Sequence, residues 1–142
     1  MTVSIVQPDD GSMSFVGNDT NIVGTTFVTI EYLASSVDKV SFTAQRGYRV
    51  KAITGRVEAA GTDVSAVTAV IKKTASGTAI ASGTALHSGT FNLKGTAATN
   101  QTLTLSTTAT DLDIPAGTSI GIDFTGTLTS ATGVITIALA PV

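Results

Sequence analysis

Residues 76–99 read SGTAIASGTALHSGTFNLKGTAAT, and a Gly-Thr pair returns every six residues, at Gly77-Thr78, Gly83-Thr84, Gly89-Thr90 and Gly95-Thr96. Such a period suits a hexapeptide β-helix, a flexible linker, or a run of short strands separated by turns. A hexapeptide β-helix needs one inward aliphatic residue per unit, sustained over many coils. The equivalent positions here are Ile80, Leu86, Asn92 and Ala98, so the register fails at Asn92. A linker fails too, because Val67, Ala69, Ile71, Ile80, Leu86, Phe91 and Leu93 supply apolar anchors around and within the repeat. Short strands and turns remain, with glycine at the bends and threonine at half-buried pleated positions.

The rest of the chain agrees with that choice. Helical periodicity is nearly missing, whereas period-two alternation recurs. Val28, Ile30 and Tyr32 share one face of TTFVTIEYL, with Phe27, Thr29 and Glu31 on the other. Val40 and Phe42 alternate with Lys39, Ser41 and Thr43. Leu103 and Leu105 alternate with Thr102, Thr104 and Ser106, the cleanest half-buried pattern in the chain. Ile120, Ile122 and Phe124 form another set, and Ile135, Ile137 and Leu139 the last. In GYRVKAITGRVEA the apolar positions are even through Tyr48, Val50 and Ala52, then odd from Ile53 through Gly55 and Val57. That phase slip predicts a β-bulge in a long strand of the kind that bends across both sheets of a sandwich. PDDG at 8–11, AAGTD at 59–63, PAG at 115–117 and SATG at 130–133 are turn sequences.

These patterns predict an all-β, antiparallel sandwich over residues 25–142, with about eight to nine strands. Residues 1–24 are less regular and form an arm or an irregular strand pair. The length of 142 residues fits a single domain with its own core. Only 13% of residues are charged against 42% hydrophobic, and mean hydropathy is +0.36, which describes a smooth, hydroxyl-rich β-protein. No apolar run reaches the roughly 18 residues of a membrane helix. The start, MTVSIVQPDD, lacks the basic-then-apolar order of a secretory signal, so synthesis is expected in a cytoplasm.

The chemistry-bearing residues are few. A net charge of −2 gives no electrostatic footprint for nucleic acid, and Lys72-Lys73 reads as the solvated end of a strand. Cysteine is absent, which excludes disulfides, thiolate catalysis and thiolate metal sites. The single histidine, His87, reads as a turn or interface residue, because no GxSxG elbow accompanies it. Asp9-Asp10 and the pair Asp111 and Asp113 could offer oxygens to calcium, but Leu112 and Ile114 alternate as core residues, so solvated turn acids are the reading taken. Two tyrosines, five phenylalanines and no tryptophan leave little for a sugar platform or a base-stacking groove. No catalytic residue, cofactor or metal site is therefore expected. RGYR at 46–49 stands out, since Arg46, Tyr48 and Arg49 are residue types that anchor protein interfaces. Phe15 and Val16, in the arm, are the other interface candidates. The alternative for RGYR is a strand start with Tyr48 packed inward and solvated arginines.

The stretches VSFTAQRGYRVKAITGRVEAAGTD, VTAVIKKTASGTAIASGTAL, NLKGTAATNQTLTLS and DLDIPAGTSIGIDFTGTLTSATGVITIALAP together resemble small jelly-roll decoration, or cement, proteins of tailed bacteriophage heads. The resemblance covers residues from about 40 to 142 and is one of pattern, without a diagnostic motif. It implies a jelly-roll sandwich on the outer capsid surface of a virion, bridging major capsid subunits as a homo-oligomer, with no enzymatic activity. A trimer would suit a three-fold position and a dimer a two-fold one. The rival function is a receptor- or carbohydrate-binding module, or the base of a fibre, on the same particle.

Overall fold

A computed structural model describes residues 24–142 in full, and before them the backbone of two strands, β1 (Val3–Val6) and β2 (Ser14–Gly17). Ten further strands follow: β3 (Thr26–Tyr32), β4 (Lys39–Thr43), β5 (Tyr48–Ala59), β6 (Thr68–Thr74), β7 (Thr84–Ala85), β8 (Phe91–Asn92), β9 (Thr99–Thr102), β10 (Asp113–Ile114), β11 (Ser119–Thr125) and β12 (Thr132–Pro141). Two 3-10 turns, Ile80–Ser82 and Ala109–Leu112, are the only helical pieces among the described residues. β7, β8 and β10 have two residues each, too few for alternation to announce them in the sequence.

Two antiparallel five-stranded sheets face each other. The first runs β10-β5-β12-β3, with β9 also on β5; the second runs β4-β11-β6-β7, with β8 also on β6. β1 and β2 pair only with each other. Between the sheets lie Val28, Ile30 and Tyr32 of β3, Ile135, Ile137 and Leu139 of β12, and Ala69, Ile71, Ile120 and Ile122 of β6 and β11. These are the inward sets that alternation assigns, because successive side chains on a strand point to opposite faces.

The phase slip in β5 is a bulge. Ala138 opposes Ala52, but the next β12 residue, Leu139, opposes Val50, so Lys51 is the extra residue. Val50 and Ile53 are both buried, while Lys51 and Ala52 both face outward. Ala52, inward by simple alternation, is thus displaced by the bulge itself. A second bulge, at Ser41 of β4 opposite β11, turns Val40 outward and leaves it 47% exposed.

β5 stays within the first sheet, so it is not the strand that bends between layers. That role belongs to residues 99–106. β9 pairs with β5 through Thr102 and Thr54, and the Leu103 amide still donates to the Ile53 carbonyl at 3.4 Å. The chain then crosses to the second sheet, where Leu105 bridges His87 and the Ser88 and Ser106 amides donate to Thr104 and Leu86 carbonyls. The Leu86 amide donates in turn to the Ile71 carbonyl of β6. This seam curls one side of the molecule into a half-barrel.

The four repeat glycines divide into two jobs. Gly77 and Gly89 take left-handed conformations, with φ of +83° and +70°, and make turns. Gly83 lets the backbone approach the Lys73 carbonyl, and Gly95 approaches the Asn92 carbonyl, where a Cβ would crowd both. Ile80, Leu86, Phe91 and Leu93 between them are buried anchors. The repeat is a folded edge of the sandwich.

Gly133 shows how tightly the first sheet is built. A Cβ there would run into the Arg56 carbonyl and the Tyr32 hydroxyl. The Tyr32 hydroxyl donates to that same carbonyl at 3.4 Å, and burial pushes the phenol up to about 12. Gly133→Ala is expected to destabilise by about 1–3 kcal/mol through overpacking. Tyr32→Phe should cost about 1 kcal/mol, the net worth of one hydrogen bond. Denaturant midpoints at constant slope would check both.

Candidate functional site

His87 is placed by the seam. It is only 4% exposed, its Nε2 accepts a hydrogen bond from the Ile71 amide at 2.9 Å, and its ring meets Phe91 edge to face at 5.6 Å. An accepting Nε2 leaves the proton on Nδ1, which donates to the Ser88 carbonyl at 3.4 Å. Burial holds the imidazole below its ordinary range, opposed in part by the Ser88 and Gly89 carbonyls. The turn or interface position expected for His87 gives way to a core position, in which both ring nitrogens serve the backbone.

The other candidates find partners of the same structural kind. Asp111 accepts from the Ser106 hydroxyl at 2.6 Å, and Asp113 pairs with Arg49 at 2.8 Å across β10 and β5. Leu112 and Ile114 are buried, as their alternation requires. Lys72 and Lys73 are not simply solvated. Lys72 pairs with Asp123 at 2.7 Å and also donates to the Ala81 carbonyl, while Lys73 donates to the Thr110 and Asp113 carbonyls. Each ammonium ties a loop to β6. Asp9 and Asp10 lie outside the described residues. Among the described residues, no three acidic or histidine side chains converge as a metal-binding group.

RGYR forms one corner. Arg46 is exposed in the turn before β5, and the Gly47 carbonyl accepts from the Val142 amide at 3.2 Å. Tyr48 is half-buried, edge to face with Phe42 at 5.8 Å, and Arg49 is taken up by Asp113. That ion pair is about one-third to one-half exposed, where such pairs contribute about 0–1 kcal/mol. Phe15 and Val16 lie on β2, opposite Ile5 and Ser4, and their side chains fall outside the described residues. The corner therefore gathers Arg46, Tyr48 and Arg49.

A broader surface emerges from the register of the first sheet. Thr29 of β3, Thr136 of β12, Thr54 of β5 and Thr102 of β9 stand in one row across four strands, on the face turned away from the core. With strands about 4.8 Å apart, the row spans roughly 14 Å. One flanking row holds Phe27, Ala138 and Ala52; the other holds Glu31, Val134, Arg56 and Asn100. Within these three rows Glu31 and Arg56 are the only charges, and Arg56 is paired with Glu58 at 3.0 Å; Lys51 and the Arg49–Asp113 pair stand beyond them on the same sheet. Hydroxyls both donate and accept, so such a face can be covered by another protein with far less desolvation cost than a charged one. Alternation places Thr29 and Thr54 outward, but the row depends on pairing between strands distant in sequence. The chain matches no protein-family model, no curated protein and no solved structure.

Proposed function

We propose that this chain is a jelly-roll structural protein that decorates a bacteriophage head, binding across major capsid subunits without catalysing a reaction. Strand order supports the jelly roll: β3 pairs with β12, β4 with β11, β5 with β10 and β6 with β7, a nested series in which first meets last. Rolling such a four-tier hairpin gives two facing sheets joined by Greek keys. The observation that carries the binding role is the threonine row, whose two flanking rows hold no charge but Glu31 and Arg56. A face of this kind suits repeated docking, where many modest contacts on one particle sum by avidity. Among the described candidates, His87, Asp111, Asp113, Lys72 and Lys73 are each engaged in holding loops or the seam.

Purified virions should contain the chain in stoichiometric amount, and particles lacking it should open at lower temperature. Thr54→Lys, at the middle of the row, should weaken particle binding at least tenfold while shifting the stability of the free protein by no more than about 0.5 kcal/mol. A chain found only free in lysate, with particles equally robust without it, would refute the proposal.

A further inference from the structure

The two sheets end in four free edges, and three are short or irregular. On the far side of β5, β10 and β9 share the edge with two and four residues. On the second sheet, β7 and β8 have two residues each, and β4 carries the Ser41 bulge and Lys39. Short strands, bulges and lysines are the usual means of preventing further pairing. β3 has none of these. It is seven residues long, without proline or bulge, and among the described residues it pairs on one side only, with β12. Its surroundings are apolar as well. Phe27, Leu33, Val37 and Val40, on β3, β4 and the turn between them, are four of the six large hydrophobic residues that stand exposed among the described residues. A single guard stands at the far end, where the Lys39 ammonium donates to the Glu31 carbonyl at 2.8 Å.

The first 23 residues end two residues before β3 begins at Thr26, and they contain β1 and β2. Those strands pair only with each other, and a lone two-stranded ribbon is marginally stable in water. Eight residues, NDTNIVGT at 18–25, separate β2 from β3 and include the turn formers Asn18, Asp19 and Gly24. Consecutive strands usually neighbour each other in space, and a connection this short permits an antiparallel return.

We propose that β2 adds to the free edge of β3 within the same chain, extending the first sheet to β1-β2-β3-β12-β5. Pairing that resumes on either side of the eight-residue connection sets Val16 opposite Phe27 and Ser14 opposite Thr29. Ser14 then continues the hydroxyl row. A second copy is the rival occupant, but so short a tether gives an effective concentration of about millimolar, above that of a dilute partner. The inference does not rest on the virion reading.

The full-length chain tests it in two ways. Amide exchange in the wild-type protein should be about a hundredfold slower than in the exposed turns at those β3 amides that do not bond to β12. Because the chain has no cysteine, Val16→Cys with Phe27→Cys, and Val16→Cys with Thr29→Cys for a shifted register, can be oxidised cleanly. A disulfide within a monomer from either pair supports the proposal. Disulfide-linked dimers overturn it in favour of a second copy. Absence of any disulfide, together with fast exchange along β3, overturns it outright.

Discussion

Phe91→Ala is expected to destabilise the protein by about 3–5 kcal/mol, seen as a fall in melting temperature of roughly 10–20 °C. Phe91 is 1% exposed on β8, yet its ring reaches the first sheet and lies on Gly55 of β5. A Cβ at Gly55 would come within 2.8 Å of the ring edge, so glycine there is the space that the ring fills. The other side of the ring meets His87. Removing it leaves a cavity that the glycine opposite cannot refill, and sites that cannot collapse lose most. The same geometry predicts non-additivity. Gly55→Ala should be harmful alone but partly restorative beside Phe91→Ala, because each substitution then occupies or vacates the same space. A cost below about 1 kcal/mol for Phe91→Ala, or simple additivity of the pair, would show that the ring does not span the layers in this way.

Alternation made the inward sets of β3, β5, β11 and β12 legible, since each strand is half-buried and long enough for the period to repeat. The bulge in β5 was legible for the same reason, as a break in phase. Its effect on Ala52 was not, because a bulge shifts an extra residue outward and the sequence does not say which one. Leu103 and Leu105 alternate as a strand should, but the pattern cannot tell that one half pairs with β5 and the other with the His87 segment. The threonine row is hidden for a related cause. Its members come from β3, β12, β5 and β9, and register between distant strands is set by the whole fold. His87 reads as a turn residue because its neighbours Ser88 and Gly89 are turn formers; Leu86 and Phe91 on either side are the better signal of a buried position.

Acid should weaken the seam before it touches the carboxylates, and His87 is the reason. Its folded pKa lies below the ordinary value of 6.5, chiefly because burial disfavours the charged ring. Protonation therefore favours the unfolded chain. The stabilisation is fully present above about pH 6.5 and is lost as pH falls through the lowered folded value. The geometry gives the cause: a proton on Nε2 would face the Ile71 amide donor, and among the described residues no acidic side chain is hydrogen-bonded to the ring to compensate. Asp63, held below its usual range mainly by the Thr127 amide, contributes in the opposite part of the scale, where stability falls only at pH below about 4. Melting temperatures measured from pH 7.5 to 4.5 should decline in the wild type, while His87→Gln, which has no titrating ring, should be level over that window. His87→Ala should cost about 2–4 kcal/mol at neutral pH, combining a lost ring contact with an unsatisfied buried amide. Equal pH profiles for wild type and His87→Gln would mean that the ring stays neutral by another route, or that the seam opens without loss of the fold.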